Sequence, residues 1–197
     1  MIKADYSKIL EKEDEFFKKF SEERNKQYPS HDITFRRIQL GDFERGFPDI
    51  LNNLSTVGNV NKEDLVNRFK HLNLDKSDTY KIVVGVDNKT NKIIASGTLF
   101  FELKFIRNMG VWGHIEDIVV HKDYNGQNLG KHLIFCIMEV SRTNLCYKVI
   151  LDCKEELTKF YGKNGLKKKE IQMVCYNEDV TERKITSYDP PKTFSKL

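Results

Sequence analysis

The chain has no apolar run approaching the roughly 20 residues that a membrane-crossing helix requires. Its longest wholly apolar stretches, such as Leu133 to Met138, are far shorter, so no membrane partner is expected. The opening Met1-Ile2-Lys3-Ala4-Asp5 lacks the apolar centre of a secretory signal, which predicts a cytoplasmic protein. Cysteine is scarce and unpatterned. Cys136, Cys146, Cys153 and Cys175 show no CxxC spacing, so packed thiols are expected rather than zinc ligands or a redox pair. His31, His71, His121 and His132 lack ligand spacing, and His114 reads as a structural histidine on a strand, so no metal is expected. An excess of one charge sign is also missing: 33 basic against 29 acidic residues leave +4 over 197 residues. The first thirty residues carry seven basic and seven acidic side chains, intermixed as on a solvated helix. The cluster Lys167-Lys168-Lys169 is short and has no interleaved aromatics, which argues against nucleic acid and for a small phosphate-bearing molecule.

What is present fits one full-sized soluble domain, with 39% hydrophobic and 31% charged residues. Tyr6, Ile9, Leu10, Phe16, Phe17 and Phe20 recur at roughly helical spacing, predicting an amphipathic helix up to about residue 29. Residues 1–30 therefore read as an N-terminal extension that packs on its own domain, contacts another subunit or forms a mobile arm. From residue 31 short strands and helices follow. Strands are predicted at 33–38, 80–86, 93–103, 111–121, 146–152 and 170–176, the second and third joined by a hairpin. Helices are predicted after Asp42 with a break at Pro48, from Asn61 to about His71, from Leu129 past Val140, and over 155–163 with Gly165 as C-cap. The order predicts an α/β (α+β) fold, a mixed central sheet flanked by helices, over residues 31–176, with a polar tail at 177–197.

The segment Tyr124-Asn125-Gly126-Gln127-Asn128-Leu129-Gly130-Lys131 lies between a strand and a helix. Its glycines admit backbone N–H groups to an anion, and the helix N-terminus adds partial positive charge. It is neither a GxxxxGK[ST] nor a GxGxxG motif. Before it stands Gly113-His114-Ile115-Glu116-Asp117-Ile118-Val119-Val120. After it come Lys148-Val149-Ile150-Leu151-Asp152-Cys153 and Lys159-Phe160-Tyr161-Gly162-Lys163-Asn164-Gly165-Leu166. In this order and spacing the segments resemble the GNAT superfamily of acetyl-CoA-dependent N-acetyltransferases, and within it the glucosamine-6-phosphate N-acetyltransferases. The resemblance covers roughly residues 32 to 176. It extends to two substrate-side segments, Leu54-Ser55-Thr56-Val57-Gly58 and Glu102-Leu103-Lys104-Phe105-Ile106-Arg107.

The resemblance implies the GNAT acyl-CoA N-acyltransferase fold, acetyl-CoA as cosubstrate, glucosamine 6-phosphate as acceptor, a role in UDP-N-acetylglucosamine synthesis, and a homodimer with the sugar site near the subunit boundary. Gly126, Gln127, Asn128, Leu129, Gly130 and Lys131 are then coenzyme-binding. Ile118, Val119 and Val120 offer backbone groups to the pantetheine arm and acetyl carbonyl, where losing one donor costs about 3 kcal/mol. Tyr161 becomes the donor to the leaving sulfur, Asp152 orients the amine, and Glu116 through water is the named base. Ser55, Lys104, Arg107, Glu116, Asp117, Lys148 and Asp152 form the substrate site, with Arg107 able to grip phosphate bidentately. Taken alone, Glu116 and the three cations read equally as solvated surface residues, and Tyr161 as a core tyrosine. Strand alternation predicts Glu116 and Asp117 on opposite faces.

This chain departs from the family pattern Gln/Arg-x-x-Gly-x-Gly/Ala at Asn125 and Asn128. Asn tolerates left-handed backbone better than most residues, so the turn is expected to survive. Leu157 stands where the family commonly has Asn. A family arginine falls on Tyr176, leaving Arg183 or Lys184 to substitute. The alternatives are a GNAT enzyme for another amine, or a non-catalytic acetyl-CoA-binding regulatory module.

Overall fold

Among the described residues, five strands form one sheet in chain order: β1 (Ile33–Arg37), β2 (Tyr80–Asp87), β3 (Lys92–Leu103), β4 (Val111–Val120) and β5 (Cys146–Ile150). The first four are an antiparallel meander, and β4 and β5 run parallel. Parallel neighbours need a crossover, and helix α5 (Leu129–Thr143) supplies it. This is a computed structural model, and it describes residues 6–75, 77, 79–124 and 126–175. Asn125, Tyr176 and the 177–197 tail lie outside the described residues.

Helix α1 (Tyr6–Gln27) and α5 cover one face of the sheet, where Phe17, Phe35, Leu99, Ile115, Leu133 and Ile137 form the larger core. On the other face α2 (Phe47–Leu51) and α3 (Lys62–His71) pack Phe47, Ile50 and Phe69 against Ile82, Val84 and Val119. Asn61 caps α3 reciprocally: its side chain accepts from Asp64 N (2.9 Å), and Asp64 accepts from Asn61 N (3.2 Å). A one-turn segment, α4 (Ile106–Met109), closes the β3–β4 connection, and α6 (Thr158–Lys163) follows β5. Gly165 (φ 89°) turns the chain out of α6, and Leu166 N bonds Tyr161 O at 3.2 Å.

Two local readings are corrected. Asp42 is not the N-cap of a helix but the third residue of a 3-10 turn (Leu40–Arg45), buried there and closing a capping box with Gln39. There its carboxylate accepts two 2.7 Å bonds from Arg36 and one of 2.7 Å from Gln39 N. The break falls at Gly46 (φ 87°), with Pro48 in the first turn of α2. The second correction concerns the predicted last strand: residues 170–175 adopt no regular structure, and Ile171, Met173 and Val174 are exposed. Apolar alternation gives strand propensity, but a strand exists only where a ladder partner is available.

The N-terminal helix packs on its own domain. Its Ser21 hydroxyl accepts from Phe35 N (2.9 Å), and Asn25 both accepts from Ile33 N and donates to Ile33 O (3.1 Å each). These side chains pair backbone groups that edge strand β1 would otherwise expose. Beneath α1, Glu13 and Lys81 are both almost fully buried and lie 3.2 Å apart. Asn144 donates to the other Glu13 oxygen at 2.7 Å, and the Lys81 ammonium sits 4.8 Å from the Tyr6 ring centroid. Burial pulls the Lys81 pKa down, while Glu13 holds it up. Removing one member of such a pair strands a charge in the interior, so Glu13→Ala is expected to cost about 3–5 kcal/mol in urea unfolding. The apolar pair Glu13→Leu with Lys81→Met should recover most of that loss, and equal losses in both proteins would refute the stranded-charge account.

Candidate active site

The site is organised by an irregularity in β4. Up to Glu116 the strand alternates regularly, with Ile115 in the α5-side core and His114 stacked on Phe100 at 4.7 Å. Beyond it Thr98 pairs with Glu116 and Ser96 with Val119, so Asp117 and Ile118 together oppose the single residue Gly97. This is a β-bulge, with Asp117 in left-handed backbone at φ 52°. After the bulge Ile118 and Val120 pack with the α5-side core and Val119 with the opposite one. A Cβ on residue 97 would lie 2.5 Å from Ile118 Cδ1 and 2.6 Å from Ile137 Cδ1, so any larger residue opposite the bulge would displace one or both isoleucine side-chain ends.

The bulge removes the basis for expecting Glu116 and Asp117 to face apart, because alternation holds only for a regular strand. Burial raises the Tyr80 phenol's pKa, and Asp117 and then Glu116 raise it further, so both carboxylates act on the same phenol. The Glu116 pKa is itself raised, first by burial, then by Asp117 and Asp152. Tyr161 joins the same group. Burial raises its pKa, with Cys153 and Glu116 adding to the effect, so the phenol stays protonated at neutral pH. Tyr161 is placed by its neighbour Phe160, which seats against Gly130; a Cβ there would meet Phe160 Cζ at 3.2 Å. The Asp152 carboxylate is exposed and accepts from Gln172 at 2.9 Å.

The bulge also marks where β4 and β5 part. They pair only from Val111 to His114, so from Ile115 to Val120 the β5-facing edge of β4 has no ladder partner among the described residues. Beside that edge, the first intrahelical bond of α5 is His132 N to Asn128 O (2.9 Å), leaving the amides of Leu129, Gly130 and Lys131 without helical partners. Asn128 holds left-handed backbone (φ 58°, ψ 17°), so the turn survives the loss of glycine there. Gly126 lies in the same loop with open space around it, and Gln127 is half-buried.

The expected cations gather at the opposite end of the same face. Lys148 and Lys104 both lie over the Trp112 ring, at 3.6 and 4.0 Å from its centroid. Glu102 accepts from Lys104 and from the Trp112 indole, with His114 Nε2 at 3.3 Å. Lys104 is therefore tethered. Glu102, Trp112 and Tyr80 were missed as site residues; the i,i+2 spacing of Glu102 and Lys104 was the available signal. Arg107 stands apart in α4, where Arg107, Asn108 and Met109 are all left-handed at φ 55–59°, and it pairs with no described carboxylate. Such backbone costs non-glycine residues about 1 kcal/mol or more each. Ser55 is exposed in the loop after α2, with no contact to the others. From Trp112 to Glu116 is four strand residues, about 13 Å at the usual rise. One face thus presents lysines at one end and carboxylates at the other. Among the described residues no group of three or more His, Cys, Asp or Glu could hold a metal ion.

Known proteins resemble this chain in sequence and fold. The model of the GNAT acetyltransferase family matches residues 47–166. The chain belongs to that family, whose members use acetyl-CoA. The curated glucosamine 6-phosphate N-acetyltransferase 1 of Dictyostelium discoideum is 46% identical over 73% of this chain and 90% of the relative, and the Candida albicans enzyme of that name is 39% identical over 72% and 94%. The crystal structure of the Arabidopsis thaliana glucosamine-6-phosphate N-acetyltransferase superposes with a TM-score of 0.71 at 37% identity, covering 74% of this chain and 98% of that one. Within the GNAT family, the chain belongs to the glucosamine 6-phosphate N-acetyltransferases and is an acyltransferase.

The coupling of the two carboxylates is open to measurement. A carboxyl NMR titration should place the Glu116 midpoint above the ordinary 4.5, and Asp117→Asn should move it down by removing a like charge. A Glu116 midpoint indifferent to Asp117→Asn would contradict the coupling.

Proposed function

We propose that this chain transfers the acetyl group of acetyl-CoA to the amine of D-glucosamine 6-phosphate by direct attack in a ternary complex. The products are N-acetyl-D-glucosamine 6-phosphate and CoA, and the reaction serves UDP-N-acetylglucosamine synthesis. The observation that carries this reading is the two-ended polar face: cations at Trp112 for a phosphate, carboxylates at Glu116 and Asp117 for an amine, and an anion cradle alongside. The cradle amides and the unpaired β4 edge suit a long polyanionic coenzyme with an amide-bearing arm. When bound, acetyl-CoA supplies an acyl carbon open to attack and a thiolate leaving group.

Lys148 takes the sugar phosphate, with Lys104 held ready by Glu102 and Arg107 presented from its left-handed turn. Glu116 and Asp117 hold the ammonium end, and Asp152 orients it at the end of β5. The raised pKa of Glu116 makes it the stronger proton acceptor of the group, and through a water it relieves the ammonium of its proton. Backbone N–H groups of Ile118 to Val120 stabilise charge developing on the acetyl oxygen. Tyr161, kept protonated by burial, donates to the departing sulfur. Leu129, Gly130 and Lys131 carry the phosphate-binding amides, with Gly126, Gln127 and Asn128 shaping the loop. A buried thiol such as Cys136 suits a cytoplasmic setting, which is part of the same proposal, whereas Cys153 and Cys175 are exposed rather than packed as the sequence suggests.

A homodimer completes it. Leu103, Phe105, Ile106 and Met109 crowd the β3–β4 tip exposed to solvent, Phe105 at 90%. Tyr147 lies against Gly110 at the same end, and Ile171, Met173 and Val174 are exposed beyond the last helix. An apolar surface of this extent calls for a partner, and a second copy would set Arg107 at the boundary. Light scattering should therefore give twice the chain mass, and Phe105→Glu should give the monomer; a wild-type monomer would remove the dimer.

The activity is tested by free-thiol release from acetyl-CoA with glucosamine 6-phosphate, unphosphorylated glucosamine or a histone-tail peptide as acceptor. Release is expected with the phosphorylated sugar alone. Tyr161→Phe should lower kcat by about 10- to 100-fold with little change in acetyl-CoA affinity. Release with the peptide but not the sugar would replace the acceptor assignment, and unchanged turnover in Tyr161→Phe would remove its role.

A further inference from the structure

The cradle has a support that the family match does not cover, since the matched region starts at residue 47. Asn128 is the cap of α5 and stands in left-handed backbone where the family pattern has glycine. Its side-chain amide donates to the Tyr28 hydroxyl at 3.0 Å, a contact between residues a hundred positions apart. Tyr28 is itself held from several directions. The Arg24 guanidinium, almost fully buried, lies 5.0 Å from the Tyr28 ring centroid. Tyr28 N bonds Arg24 O, and His31 N bonds Tyr28 O, both at 3.0 Å. Arg24 Nη1 donates to His31 O at 2.6 Å, closing the turn between α1 and β1. His132, one turn into α5, packs edge-on to the Tyr28 ring at 5.5 Å. The phenol therefore has little freedom, and its oxygen meets the one residue whose backbone sets the direction of the three cradle amides. At the other end of the loop, Tyr124 donates to Asp87 of β2, so the cradle is anchored on both sides.

We propose that Tyr28 is a positioning residue for coenzyme binding: by holding the Asn128 side chain it fixes the left-handed cap that glycine would adopt unaided, and with it the orientation of the Leu129, Gly130 and Lys131 amides. The inference rests on the coenzyme-cradle reading of this loop and needs no particular acceptor. Glycine is at home at positive φ, whereas asparagine there is one of several accessible states until something selects it. An N-terminal helix outside the matched region thus supports a cap that this chain builds without glycine.

The test is a double-mutant cycle of Tyr28→Phe and Asn128→Gly, read by calorimetric binding of coenzyme A and by steady-state kinetics. Tyr28→Phe keeps the ring and removes only the hydroxyl. In the Asn128 background it should weaken coenzyme A binding and raise the acetyl-CoA KM by about 3- to 10-fold, the worth of one neutral hydrogen bond. The kcat and the glucosamine 6-phosphate KM should stay within about twofold. In the Asn128→Gly background the same substitution should change binding by less than about twofold, because the cap no longer needs selecting. An equal penalty in both backgrounds, or none in either, overturns the proposal. Matching thermal melts of the wild-type and Tyr28→Phe proteins exclude a folding defect as the cause. Binding is measured without an acceptor, so a chain that binds coenzyme A but does not acetylate glucosamine 6-phosphate would refute the acceptor assignment alone, with the cycle still deciding for or against Tyr28. No coenzyme A binding by the wild type would overturn both.

Discussion

Everything at the candidate site follows from one extra residue in β4. Had β4 continued in register, Asp117 would point into the α5-side core and the two carboxylates would lie on opposite faces of the sheet. The bulge absorbs Asp117, restores Ile118 and Val120 to the core and leaves both carboxylates acting on Tyr80. It begins three residues past the last β4–β5 pair, so the acidic groups lie just beyond the point where the strands separate. The cost is a left-handed Asp117 and little room for a side chain at residue 97, where Ile118 and Ile137 approach closely. An insertion or deletion in β4 would shift every one of these features together.

Around that irregular strand the structure places its charges in two ways. Under α1, Glu13 and Lys81 are sealed from water and matched to each other, with Asn144 taking the remaining carboxylate oxygen. Their arrangement specifies how the helix docks, because a helix shifted by one turn would leave two buried charges unmatched. On the opposite face Lys104, Lys148 and Glu102 surround Trp112 with part of their charge still exposed. A rigid indole beneath two ammonium groups lowers their conformational freedom, and Glu102 pairs with Lys104.

The N-terminal helix shows how far an extension can become part of a domain. Its serine and asparagine side chains complete the exposed edge of β1, its phenylalanines enter the main core, and the turn after it reaches the cap of α5. Each of these is a contact across at least eight residues of sequence, and none has a local signature. Helical periodicity in the first thirty residues was legible; what the helix packs against was not.

Hydrophobic period and turn chemistry were enough to locate five strands, the Asn61 cap, the α5 crossover and the cradle, because those depend on neighbours within a few residues. The His-Ile-Glu-Asp-Ile strand and the Lys-Phe-Tyr helix were enough to indicate a family. The break in β4 alternation was not legible because a bulge is defined by the partner strand, and nothing in the residues of β4 alone announces that Gly97 will stand opposite two of them. The 170–175 segment differs for a related reason: apolar alternation is intrinsic to a chain, but a strand is a relation between two. The sequence by itself determined which side chains are available and which segments become helix or strand, since those preferences are local. The tertiary structure alone decided where β4 loses its alternation, which lysine is tethered by Glu102 and which tyrosine reaches Asn128, because register and long-range packing put residues into contact that the chain keeps far apart.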